Sequence, residues 1–190
     1  MKKTTKKIIR VGFFGDGTVK ENDVTYKLAY NCAKLLAQNS YIVVNGGGPG
    51  VMLASSLGAK EARGGVELVV MSKKDEPGKN YEGQSKKNVA IADKLYEEKS
   101  YDDRINKLSE LADAFLIFKG GTGTITEMGF VWSVAKFNYG NHEPVIFVGR
   151  GWKGVISKLA RFLNLENKET NVTGFAKNPK EVLKLLKSAN

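Results

Sequence analysis

The runs Ile8–Phe14, Tyr41–Val44, Val66–Met71, Ala114–Phe118 and Pro144–Val148 are short and nearly continuous in apolar residues, and glycine follows most of them within two positions. A strand with one wet face alternates apolar and polar residues, whereas a continuous run is covered on both faces. Between the runs, apolar residues recur at helical spacing. Val24, Leu28, Cys32, Leu35 and Leu36 share one face of a predicted helix that starts at an Asn22 or Asp23 cap and runs to about Asn39. Further helices are predicted over about Val51–Arg63, from Asp102 or Asp103 to about Ala112 with Ile105, Leu108 and Leu111 inward, and from about Thr124 to Phe137. Trp152–Leu163 and Pro179–Ser188 read as the closing helices. Covered strands alternating with helices specify an α/β fold: a doubly wound, mainly parallel, Rossmann-like sheet in three layers. Ser72–Lys87, with Pro77, Gly78 and Gly83, reads as a long mobile loop, and Asn88–Tyr96 as a short strand or helical turn.

The chain of 190 residues shows no repeat and no linker, so one domain over 1–190 is expected, with a basic tail over about 1–7. Its 42% hydrophobic and 26% charged residues suit a soluble globular protein, and no apolar run is long enough to span a bilayer. No signal peptide is read at the basic N-terminus. The single cysteine, Cys32, excludes an internal disulfide and suits a cytoplasmic location. One Cys and one His make no ligand cluster, so no metal is expected. The net charge of +10 comes partly from Lys2, Lys3, Lys6, Lys7 and Arg10 at one end and Lys177, Lys180, Lys184 and Lys187 at the other. Without interleaved aromatics these tails read as a solubilising surface, and nucleic acid is not the expected partner.

In a parallel sheet all strand-to-helix loops share one rim. Gly15-Asp16-Gly17, Gly46-Gly47-Gly48 and Gly120-Gly121-Thr122-Gly123-Thr124 therefore converge. Backbone N–H groups at a helix start favour an anion, and glycine lets the backbone approach it. Thr122 and Thr124 add hydroxyl donors. None of these loops ends in Gly-Lys-Ser/Thr, and Gly12, Gly15 and Gly17 lack G-x-G-x-x-G spacing, which disfavours both an ATPase and a nicotinamide dehydrogenase. Glu127 lies one helical turn past Thr124, on the same face. Arg104 is in line with the inward Leu108 and Leu111. It either pairs with Asp102 or Asp103 at the surface or points into the cleft.

Arg104, Asp113-Ala114-Phe115 and the stretch from Gly120 to Glu127 resemble the R…DAF…PGGxGTxxE signature of the LONELY GUY family, long labelled lysine decarboxylases. Asn45-Gly46-Gly47-Gly48-Pro49-Gly50-Val51-Met52 resembles that family's YGGGxxGLM turn, and the likeness covers roughly Ile8 to Leu163. Lys119 stands where the family has Pro, and Ile105 where it has Lys. The resemblance implies a homodimeric nucleoside 5′-monophosphate phosphoribohydrolase without a cofactor, with Arg104 and Glu127 as its catalytic pair and Gly120–Thr124 as its phosphate loop. A carboxylate beside the ribose suits cleavage of an N-glycosidic bond, because positive charge builds on the sugar. Two other expectations share the fold: a nucleotide or molybdenum-cofactor carrier without turnover, and a nucleic-acid binder. Lysine decarboxylation needs a pyridoxal phosphate Schiff-base lysine in a recognisable setting, and the lone His142, followed by Glu143, provides none.

Overall fold

The computed structural model describes residues 7–75, 78, 81 and 83–189. Lys2, Lys3, Lys6 and Pro77 lie outside the described residues. The strands are β1 (Arg10–Phe14), β2 (Ile42–Asn45), β3 (Val66–Met71), β4 (Lys94–Glu98), β5 (Ala114–Ile117), β6 (Val145–Val148) and β7 (Thr173–Ala176). They form one seven-stranded sheet in the order β4-β3-β2-β1-β5-β6-β7. Every neighbouring pair is parallel. The helices are α1 (Val24–Gln38), α2 (Val51–Glu61), α3 (Lys86–Ala90), α4 (Tyr101–Leu111), α5 (Thr122–Phe137), α6 (Trp152–Phe162), α7 (Asn167–Asn171) and α8 (Pro179–Ala189).

The unbroken apolar runs are explained by a core on each side of the sheet. Phe13 points to one layer, where α1, α2 and α8 pack through Cys32, Ala54 and Leu186. Its neighbour Phe14 points to the other, where α4, α5 and α6 pack through Leu108, Val131 and Ile156. Ring pairs carry the same alternation: Phe13 stacks on Phe118 and Phe14 on Phe115, each at 5.8 Å between centroids. The doubly wound, three-layered α/β architecture expected from the sequence is the one observed.

Several local expectations are corrected. Val24 is 82% exposed, because the buried face of α1 is Tyr26, Ala29, Cys32, Ala33 and Leu36. Asp23 precedes α1 without capping it; its carboxylate accepts the Lys20 amide at 2.6 Å. The cap of α4 is Ser100, whose Oγ accepts the Asp103 amide at 3.0 Å, so the helix starts at Tyr101. Ser72–Lys87 is not wholly loop: Lys73–Asp75 form a 3₁₀ turn, and Ser85 caps α3 from Lys86. Asn88–Tyr96 contains both a helical end and the start of β4. The sequence reading missed α7 and β7, which are short and largely part-exposed and carry almost no apolar signal.

Candidate functional site

Strand order reverses at β1. The chain winds outward through β2, β3 and β4, then returns to place β5 on the other side of β1. The loops after β1 and β5 consequently diverge and open a crevice at the carboxyl edge of the sheet. Backbone bonds tie its margins together: the Asp16 amide donates to the Lys119 carbonyl at 3.0 Å, and the Val51 amide to the Asp16 carbonyl at 2.9 Å. The resulting cleft has a volume of about 690 Å³ and contains Gly15, Gly46, Gly48, Arg104, Glu127 and the residues Gly121 to Thr124 in its walls.

Arg104 occupies its floor. Of the two placements open to it in the sequence, the structure takes the cleft. Its side chain is 5% exposed and reaches three elements. Nε donates to the Val69 carbonyl of β3 at 3.2 Å, Nη2 to the Gly46 carbonyl after β2 at 3.3 Å, and Nη1 to Glu127 Oε1 of α5 at 3.4 Å. A buried guanidinium is tolerable only when paired and hydrogen-bonded in this way. Glu127, 9% exposed at its side chain, supplies the counter-charge. Helical spacing puts Glu127 and Thr124 on one buried face of α5, as expected.

The glycines separate into two kinds. At Gly46 a Cβ has no room against the Arg104 guanidinium, and at Gly50 the backbone has φ +61° and presses on the Asp16 carbonyl. Glycine is required there by packing or backbone. At Gly121 a Cβ meets nothing within 4 Å, at Gly123 only the Tyr101 hydroxyl at 3.5 Å, and neither has a positive φ. The folded chain does not need glycine at those two positions; its effect there is to leave the start of α5 open to the cleft. That start has no side-chain cap and no acidic residue in its first turn, so its N–H groups and dipole suit an anion.

Two residues from the expected phosphate set stand behind the lining. The Gly47 amide donates to Asn45 Oδ1 at 2.9 Å, and the Gly47 carbonyl accepts from the Ser85 amide at 2.9 Å. Gly120 packs on Thr124 and the Asp16 backbone. Asn45, fully buried, also donates to Ser56 Oγ at 2.8 Å and the Met52 carbonyl at 3.2 Å, which holds the Gly46–Gly48 loop against α2. Sequence reasoning placed Asp16 and Met52 in the rim loops without a role and left out Tyr81 and Tyr101; all four line the cleft. Tyr101 was within reach, lying three residues before Arg104 and so on the same helical face. Of the two departures from the family pattern, Ile105 is 3% exposed in the core and Lys119 is exposed. Among the described residues no three or more His, Cys, Asp or Glu side chains gather to hold a metal ion.

These features define a Rossmann-like α/β protein with a cleft at its topological switch point. The chain belongs to the SLOG cluster4 family, whose profile matches residues 8–182. It is 27% identical over 143 residues to an uncharacterized protein of Archaeoglobus fulgidus, covering 75% of this chain and 86% of that one. Its structure is similar to the molybdenum cofactor binding protein of Rippkaea orientalis, with a TM-score of 0.67, 24% identity, and 97% and 98% of the two chains covered. It is also similar to DNA processing protein A of Streptococcus pneumoniae, with a TM-score of 0.61 and 13% identity over 94% of this chain and 62% of that one. At such identities the structural likenesses establish the fold, and the LONELY GUY resemblance is consistent with them at that level. No helix among the described residues is long and apolar enough to cross a membrane.

Proposed function

We propose that the protein is a nucleoside 5′-monophosphate phosphoribohydrolase, releasing free base and ribose 5-phosphate. The observation that carries the reading is the Arg104–Glu127 pair, buried in the floor of a cleft whose wall is the open start of α5. The 5′-phosphate sits on the N–H groups of Gly121 to Thr124. Its binding orients the ribose, so that remote binding energy serves the reacting bond. Glu127, a turn further into the same helix, then faces the sugar. As the C1′–N bond breaks, the bonding pair leaves with the base and positive charge grows on the ribose. The carboxylate stabilises that charge and directs a water onto C1′; the water oxygen bonds C1′, and the proton it sheds balances the one the departing base nitrogen takes up. Arg104 is already engaged with Val69 and Gly46, so it acts by holding the Glu127 carboxylate in one orientation.

Incubation with a panel of nucleoside 5′-monophosphates, with assay of both products, tests the reading. Release by the parent and a fall of about a hundredfold or more in kcat for Glu127→Gln, with binding retained, is the expected result. Binding without release in the parent would reject it in favour of a carrier. That second reading draws on the likeness to a molybdenum cofactor binding protein. Both readings use the same phosphate seat and differ in whether Glu127 performs chemistry.

The proposal includes a homodimer. Ile125 and Phe137 on α5 and Val155 and Phe162 on α6 are between 53% and 84% exposed, apolar side chains that a second copy can cover.

A further inference from the structure

Tyr101 stands at the first position of α4, held there by the Ser100 cap. Its ring lies beside the Arg104 guanidinium, with Cζ 5.8 Å from the centroid, and meets Tyr81 edge-on at 6.5 Å. Its hydroxyl reaches across the cleft to the first turn of α5, 3.5 Å from the point where a Cβ on Gly123 would be. One side chain thus spans from the Arg104–Glu127 floor to the open helix start. A phenol adds a side-chain donor next to the backbone amides of that turn.

We propose that Tyr101 is a specificity-determining residue: its hydroxyl donates to the terminal phosphate of the ligand, beside the α5 amides. The proposal rests on the reading that this cleft binds a nucleoside monophosphate. The hydroxyl then discriminates a phosphorylated ligand from the bare nucleoside, and the ring shields the buried ion pair from solvent. Gly123 belongs to the same device, since a methyl group there would stand 3.5 Å from the hydroxyl and crowd the seat between it and the start of α5.

Calorimetric titration of the full chain with the four ribonucleoside 5′-monophosphates, the matching nucleosides and inorganic phosphate tests this. Tyr101→Phe should weaken monophosphate and phosphate binding about tenfold or more, as expected for a hydrogen bond to a charged group, and leave nucleoside binding within about twofold. Thermal midpoints of both proteins, measured alongside, separate a loss of binding from a loss of fold. Gly123→Ala should weaken the same ligands without destabilising the fold. Equal weakening of nucleotides and nucleosides by Tyr101→Phe, or none at all, would overturn the proposal, as would a parent that binds neither monophosphates nor phosphate. A parent that binds monophosphates without releasing base, and loses that binding in Tyr101→Phe, would sustain the role of Tyr101 while rejecting the hydrolase.

Discussion

Arg104 joins β3, the loop after β2 and α5 through one guanidinium. Its replacement by Met should leave the Glu127 carboxylate buried without its counter-charge and cost about 3 kcal/mol or more, read as a shift of the urea midpoint. Gly46→Ala should act differently: the added methyl displaces the end of a flexible side chain, so activity is lost with a smaller change in stability. An equal loss of stability in both variants would show that the methyl strips Glu127 of its counter-charge as fully as Arg104→Met does. Cys32 is fully buried, and burial pushes its thiol up to about 12. It should resist aromatic disulfide reagents at pH 8 in the native protein and react once urea unfolds the chain. Prompt reaction in the native state would contradict the packing of α1 against α2.

At the scale of elements, the start of α4 presents both Tyr101 and Arg104, and Ser100 determines where that start falls. Ser100→Ala should cost about 1 kcal/mol, and Ser100→Thr, which keeps the hydroxyl, should recover most of it. The strands on the β4 side are held by a different device. Glu67 of β3 is 3% exposed and pairs with Arg10 of β1 at 3.0 Å and Lys94 of β4 at 3.3 Å. Burial pushes its carboxyl up, but the hydrogen bonds and charges of Arg10 and Lys94 outweigh burial and leave it below the ordinary 4.5. The folded state therefore binds that proton less readily than the unfolded chain. The stabilising contribution is complete above pH 4.5 and is lost as the pH falls below that through the folded value. Denaturation followed against pH should show this acid slope in the parent and a shallower one in Glu67→Gln.

For the whole molecule, α5 and α6 lie on one face of the sheet and return in the same direction, so Phe137 and Phe162 emerge near the same edge, 75% and 84% exposed. Light scattering on the purified protein should give the mass of a dimer, and Phe162→Glu with Phe137→Glu should give that of a monomer. A monomeric parent would leave those side chains as ordinary surface. The layered sheet was readable from the chain because its central strands are buried on both faces and so admit no polar alternation. The edge strands β4 and β7 were not: Lys-Leu-Tyr-Glu-Glu and Thr-Gly-Phe-Ala are partly wet, and only pairing with β3 and β6 makes them strands. The helix start at Gly121–Thr124 and the position of Glu127 one turn on were equally legible, since both depend on local spacing. Which way Arg104 turned was not, because Val69, Gly46 and Glu127 are 35, 58 and 23 residues away from it and no local periodicity encodes such distances. Local pattern therefore determined the elements and the glycine turns. The crossing of the chain from β4 back to β5 decided which turns diverge, which glycines face the cleft and which lie behind it, and that a buried ion pair forms its floor.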